Sequence, residues 1–154
     1  MGKEVAKEDA ILRTLTFEDV EAIARIDEKI TGSYSPKHWQ NKMEVFMANP
    51  EACIGIELEG RLVGFMMGHI KGGEFGSNDG TAWLEIMGVD PGYQSMGIGR
   101  DLFSYFYSYV QRVGGNKIYT LTEWDNTLII PFFNKIGFRK SQFTCLEMDI
   151  PSGR

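Results

Sequence analysis

The sequence is poor in the residues that build metal centres and covalent staples. Its 154 residues include only two cysteines, Cys53 and Cys145, and two histidines, His38 and His69. No Cys-x-x-Cys pair occurs, so no metal is expected. The cysteines lie far apart among apolar neighbours and read as two buried free thiols, the usual state in a reducing compartment. A basic excess is also missing: 16 Lys and Arg stand against 21 Asp and Glu, a net charge of −5. Nucleic acid is therefore not an expected partner, because a phosphate backbone needs a basic face. No apolar run is long enough to span a bilayer, and residues 1–8 lack the apolar core of a signal segment. The expectation is a cytoplasmic protein without a membrane partner. No internal repeat and no linker rich in proline, glycine or serine divides the chain.

What is present is ordinary globular composition, 43% hydrophobic and 12% aromatic, enough for one core. Residues 10–150 read as a single domain between a flexible start at 1–9 and a tail at 151–154. Residues 10–15 read as a strand, and Thr16 with Asp19 forms a short capping box for a helix whose stripe is Val20, Ile23, Ala24 and Ile26. Ser35-Pro36 opens a second helix that Asn49-Pro50 closes. Strands at 52–58 and 61–70 flank the two-residue connection Glu59-Gly60. A polar, glycine-rich loop at 71–80 leads to a strand at 82–89, apolar on both parities except for Glu85 and so expected to be covered on both faces. A helix from Ile98 to about Val113 carries Ile98, Leu102, Phe106 and Val110 on one stripe, with Phe103 and Val113 alongside. A strand at 117–122, a helix at 127–136 and one or two strands at 138–150 complete the order β-α-α-β-β-β-α-β-α-β. The fold class is α/β with a mixed central sheet flanked by helices.

The most informative stretch is Met87-Gly88-Val89-Asp90-Pro91-Gly92-Tyr93-Gln94-Ser95-Met96-Gly97-Ile98-Gly99-Arg100. A strand ends, a turn follows and a helix begins, leaving several main-chain N–H groups without helical partners. Together with the helix dipole they form an anion site, and Gly97 and Gly99 allow close approach. A P-loop is excluded because Gly99 is followed by Arg100-Asp101, and a dinucleotide fingerprint because its third glycine would fall on Leu102.

The remaining pattern, Gln-x-x-Gly-x-Gly after a strand ending Val-Asp-Pro, resembles the GNAT superfamily of acetyl-CoA-dependent N-acetyltransferases. A second stretch, from Asn126 to Phe138, resembles the same family's Asn and Tyr-x-x-x-Gly-Phe segment. The resemblance implies a GNAT-like sheet and acetyl-CoA as cosubstrate, with its pyrophosphate cradled by Gln94, Ser95, Met96, Gly97, Ile98, Gly99 and Arg100. Arg100 is read either as a phosphate ligand or as a solvated first-turn residue. The resemblance also implies that the strand through Met87 and Val89 parts from its neighbour to receive the pantetheine arm, with Gly88 as a candidate bulge. Asn126 matches a position that reaches the cofactor arm and also suits a helix cap. The usual tyrosine falls on Phe133, which has no proton to give a departing thiolate, and Pro131 suggests a late start or a kink in that helix.

Acetyl transfer to an amine needs the nitrogen neutral and aimed at the thioester carbon. Glu85 is the candidate general base. It lies two residues before Met87, nominally on the same face, and burial would make it a better proton acceptor. The alternative is a strand-end carboxylate paired with a cation. Glu123, Trp124 and the loop at 31–39 are secondary acceptor-side candidates. Tyr34 and Trp39 form either a pocket wall or plain packing there, and His69 reads as a satisfied sheet residue. The expected partner is a primary amine on a small molecule or a peptide, and a homodimer closing the site stays open. A non-catalytic acyl-CoA-binding or sensing domain is the alternative function.

Overall fold

A computed structural model describes residues 9–72, 80–122 and 129–153. Two compact units make up the chain, Met1–Leu121 and Thr122–Arg154. The first holds a five-stranded sheet: β1 (Ile11–Thr14), β2 (Cys53–Leu58), β3 (Arg61–Gly72), β4 (Gly80–Val89) and β5 (Gly115–Thr120), side by side in chain order. Pairing is antiparallel as far as β4, and β4 pairs parallel with β5. Between β1 and β2 lie α1 (Val20–Thr31) and α2 (Pro36–Phe46), and α3 (Ile98–Arg112) crosses from β4 to β5.

Local chemistry explains where these elements begin. Thr16 accepts from Glu18 N–H at 3.3 Å and donates its own N–H to Asp19 Oδ2 at 2.8 Å, a capping box that closes one 3-10 turn before α1. Arg13 of β1 grips Asp19 at 2.7 and 2.8 Å and also bonds Glu57 of β2. Burial alone would raise the Asp19 carboxyl, but Arg13 and the Thr16 N–H outweigh it and hold it below the ordinary range. The β2–β3 hairpin turns at Glu59 and Gly60, both with positive φ (53° and 76°), the twist that suits a two-residue connection.

The two faces of the sheet are told apart by what packs on β3. A Cβ on Gly64 would stand 2.8 Å from Ile98, and one on Gly68 2.7 Å from Phe106, so the even-numbered side of β3 faces α3. Phe65 and Met67 point the other way, into a core with Ile23, Ala24 and Ile26 of α1 and Trp39 and Met43 of α2. Ile98, Leu102, Phe106 and Val110 are all buried, whereas Val113 lies beyond α3 and is exposed. Met67 pairs with Ile86 while Gly68 pairs with Leu84, leaving Glu85 as an extra, bulged residue of β4.

That bulge corrects two expectations. Gly88 is not the bulge; it sits opposite Phe65, whose ring would lie 2.7 Å from a Cβ there. Glu85 and Met87 do not share a face either. Met87 pairs with Met66 and Val89 with Gly64, on the α3 side, because the extra residue resets the alternation. A third correction concerns the thiols: both are free, but only Cys53 is buried and Cys145 is exposed. Burial pushes the Cys53 thiol up to about 11.

In the second unit, α4 (Ile129–Ile136) carries Pro131 in its first turn, where an N–H is not needed. Phe133 is buried, with ring centres of Phe132 and Phe138 at 5.5 and 5.1 Å. Gly137, at φ 114°, ends the helix, and Phe138 N–H donates to the Phe133 carbonyl at 2.9 Å. The strand or strands expected at 138–150 are not formed. Leu146, Met148 and Ile150 alternate as a strand would, yet each is 88% exposed and no ladder joins that stretch. Alternation supplies a face, but a strand also needs a partner for its backbone groups.

Candidate active site

The turn after β4 is built around a buried carboxylate. Asp90 accepts from Gly92 N–H at 2.9 Å and from Lys29 Nζ of α1 at 2.7 Å, and its own N–H donates to Val63 at 2.8 Å. Burial would raise this carboxyl, but Lys29, the Gly92 N–H and the charge of Arg61 bring it below the ordinary range. Past one 3-10 turn (Pro91–Tyr93), Ser95 and Gly97 both adopt left-handed backbone, φ 72° and 79°. Gly97 is the N-cap of α3, and no side chain among the described residues caps it. The first helical bond runs from Asp101 N–H to the Gly97 carbonyl at 3.0 Å. The N–H groups of Ile98, Gly99 and Arg100 therefore lack helical acceptors. Left-handed residues ahead of an uncapped 15-residue helix make a concave nest of donors at the positive end of its dipole. Gln94, Ser95 and Arg100 are exposed, Met96, Gly97 and Gly99 half-buried, and Ile98 buried in the core. The geometry suits a diphosphate held by main-chain donors.

Beside this turn the sheet opens. Pairing between β4 and β5 ends at Leu84 and Thr120, where Thr120 Oγ1 donates to the Leu84 carbonyl at 3.0 Å. From Glu85 to Val89, β4 has no β5 partner among the described residues. Met87 and Val89 thus offer main chain to this edge while their side chains pack toward α3.

Glu85 lies on a different surface, the wall of a cavity of about 880 Å³. Asn41, Lys42, Val45 and Phe46 of α2 line one side together with His38. Ala48 and Asn49 follow, and His69, Ile70 and Lys71 of β3 line the other side next to Glu85. The burial expected of Glu85 is not found: its side chain is 39% exposed. His69 Nδ1 stands 3.5 Å from Glu85 Oε1, its side chain is 24% exposed, and its Nε2 is buried without a partner among the described residues. Reading His69 as a satisfied sheet residue missed this pair. Period-2 alternation places His69 on the α2 side, but the bulge that brings Glu85 there has no sequence signal.

Other candidates separate from this site. Trp39 is buried, donates from Nε1 to Asp27 Oδ2 at 3.0 Å and meets the Phe65 ring edge-on at 5.4 Å, so it is packing. Tyr34 lies under Arg25, 4.0 Å from ring centre to guanidinium, and donates to Glu21 Oε2 at 2.6 Å. Neither lines the cavity. Asn126, Glu123 and Trp124 lie outside the described residues, as do residues 73–79. Phe133 belongs to the second unit. Among the described residues, no helix is long and apolar enough to cross a membrane.

Comparison with known proteins agrees with this architecture. A mycothiol acetyltransferase from Arthrobacter sp. (strain FB24) is 26% identical over 87 residues, 56% of this chain but only 27% of that protein's length. Among solved structures, a transcriptional regulator from Bacillus halodurans superposes with a TM-score of 0.78 at 17% identity, covering 92% of this chain and 99% of its own. An aminoglycoside N-acetyltransferase in complex with CoA gives 0.75 at 13% identity, covering 91% and 94%. At these identities the likeness to the solved structures is one of fold. The profile of the acetyltransferase (GNAT) family matches residues 16–138, crossing from the first unit into the second. With the sheet, the turn and that match in place, the chain belongs to the GNAT acetyltransferase family.

Proposed function

We propose that the protein is an N-acetyltransferase that moves an acetyl group from acetyl-CoA to a primary amine. The observation that carries this reading is the turn at 94–100, where left-handed Ser95 and Gly97 precede an uncapped α3. In this reading the N–H groups from Gln94 to Arg100 hold the pyrophosphate. The edge of β4 at Met87 and Val89, which has no β5 partner among the described residues, receives the pantetheine arm. Bound acetyl-CoA supplies an acyl carbon activated as a thioester.

The cavity beside Glu85 takes the acceptor. An alkyl ammonium, with an ordinary pKa of about 10.4, must lose a proton before it is nucleophilic. Glu85 accepts that proton, directly or through one water, and its exposed carboxylate is reachable from the cavity. Phe133 offers no proton to the departing thiolate, so that proton comes from water or another donor. Free thiols at Cys53 and Cys145 support a reducing, cytoplasmic setting.

Phe133 also favours a second reading, a domain that binds acyl-CoA without turning it over. Incubation with acetyl-CoA and a mixed set of amines, polyamines, aminoglycosides and peptides separates the two. Release of free thiol together with an acetylated product by mass spectrometry supports the transferase. Binding without thiol release across the set supports the sensor.

A further inference from the structure

We infer that His69 is a positioning residue for Glu85, donating from Nδ1 to that carboxylate while Nε2 stays deprotonated. The inference rests on the reading of Glu85 as the base. The bulge in β4 turns Glu85 toward the cavity wall that His69 already occupies, and Nδ1 comes to 3.5 Å from Oε1. That separation is just beyond a hydrogen bond, and a small side-chain rotation closes it.

A carboxylate only accepts, so the ring nitrogen facing it must carry the proton. Nε2 then decides the tautomer. It is buried with no partner among the described residues. An N–H at Nε2 would have no acceptor among the described residues, whereas the ring protonated on Nδ1 leaves only a lone pair there. The other charged or titratable groups of the wall are His38 and Lys42 from α2 and Lys71 from β3. The facing carboxylate and the buried Nε2 together place the ring's proton on Nδ1.

The consequence for the reaction is specific. A side chain as exposed as Glu85 samples several rotamers unless something holds it. A neutral N–H donor restrains one oxygen and leaves the other for the ammonium. It also orients the base without pairing it to a full positive charge, which would weaken it as a proton acceptor.

The test reads the imidazole directly. Long-range proton–nitrogen correlation spectra of the full chain near about pH 7.5 contain only two histidines, and His38→Gln assigns them. The expected spectrum shows His69 neutral with Nδ1 protonated, moving toward the Nε2-protonated form in Glu85→Ala. An Nε2-protonated ring or an imidazolium in the unaltered protein overturns the inference.

Kinetics supply the second reading. His69→Phe should lower kcat/KM for the amine by about tenfold, the scale of coupling between neighbouring side chains, with the KM for acetyl-CoA unchanged. His69→Asn, which keeps an N–H near Nδ1, should restore most of the rate. The His69→Phe loss should shrink as pH rises and vanish in a Glu85→Gln background. A loss that is independent of pH and additive with Glu85→Gln marks a structural role and overturns the inference. A protonated Nδ1 together with full activity in Glu85→Gln leaves the contact standing and removes Glu85 as base.

Discussion

Lys29 Nζ stands 2.7 Å from Asp90 Oδ2, so a helix from early in the chain grips the residue at which β4 becomes the turn. Asp90 is buried while the lysine is half exposed, which makes the aspartate the more sensitive partner. Asp90→Asn should lower unfolding stability by about 1–3 kcal/mol at neutral pH, the range for a buried group that loses a charged hydrogen bond. Because the folded carboxyl lies below its ordinary value, its contribution is complete above the unfolded value of about 3.9 and is lost as pH falls through the folded one. Denaturant unfolding at neutral pH and at about pH 3 should show the gap between the two proteins closing in acid.

Gly97 has a backbone that L side chains rarely adopt, at φ 79°. Gly97→Val should cost about 1–2 kcal/mol in backbone strain and should also fill the approach to the N–H nest. Titration calorimetry of folded Gly97→Val and Gly99→Val with coenzyme A should show weakened binding in both. Unchanged affinity in both would place the pyrophosphate elsewhere.

Glu85→Gln keeps size and one acceptor oxygen but removes the basic one. The kcat/KM should fall by about 10²–10⁴ while coenzyme A affinity holds, since the side chain faces the cavity rather than the turn. The deficit should narrow toward high pH, where more amine arrives neutral. A profile of kcat/KM from about pH 6.5 to about 9.5, spanning the ordinary amine range, measures it. Rates equal to the unaltered protein at the acid end would remove Glu85 from the mechanism.

Gly88→Ala tests the close approach of Phe65. The added Cβ would lie 2.7 Å from the ring of a buried residue that itself packs on Trp39. Overpacking of this kind costs about 1–3 kcal/mol, so the melting temperature should drop. Phe65→Leu should recover part of that loss in the double variant. A double variant no more stable than Gly88→Ala alone would locate the strain elsewhere.

The residues of α1 show what the sequence determined by itself. Val20, Ile23, Ala24 and Ile26 are spaced for one helical face, and all four are buried. Thr16 and Asp19, Glu59 and Gly60, and the run from Asp90 to Gly97 were legible for the same reason: caps, turns and helix starts depend on a few adjacent residues. The tertiary structure alone decided what depends on register and on partners. The extra residue at Glu85 appears only when β4 is laid against β3, and it moves Met87 to the opposite face and Glu85 to His69. Residues 138–150 carry the alternation of a strand yet form none, and Cys145 among them is exposed while Cys53 is enclosed. Periodicity says which side chains share a face, but backbone pairing and packing say what that face meets.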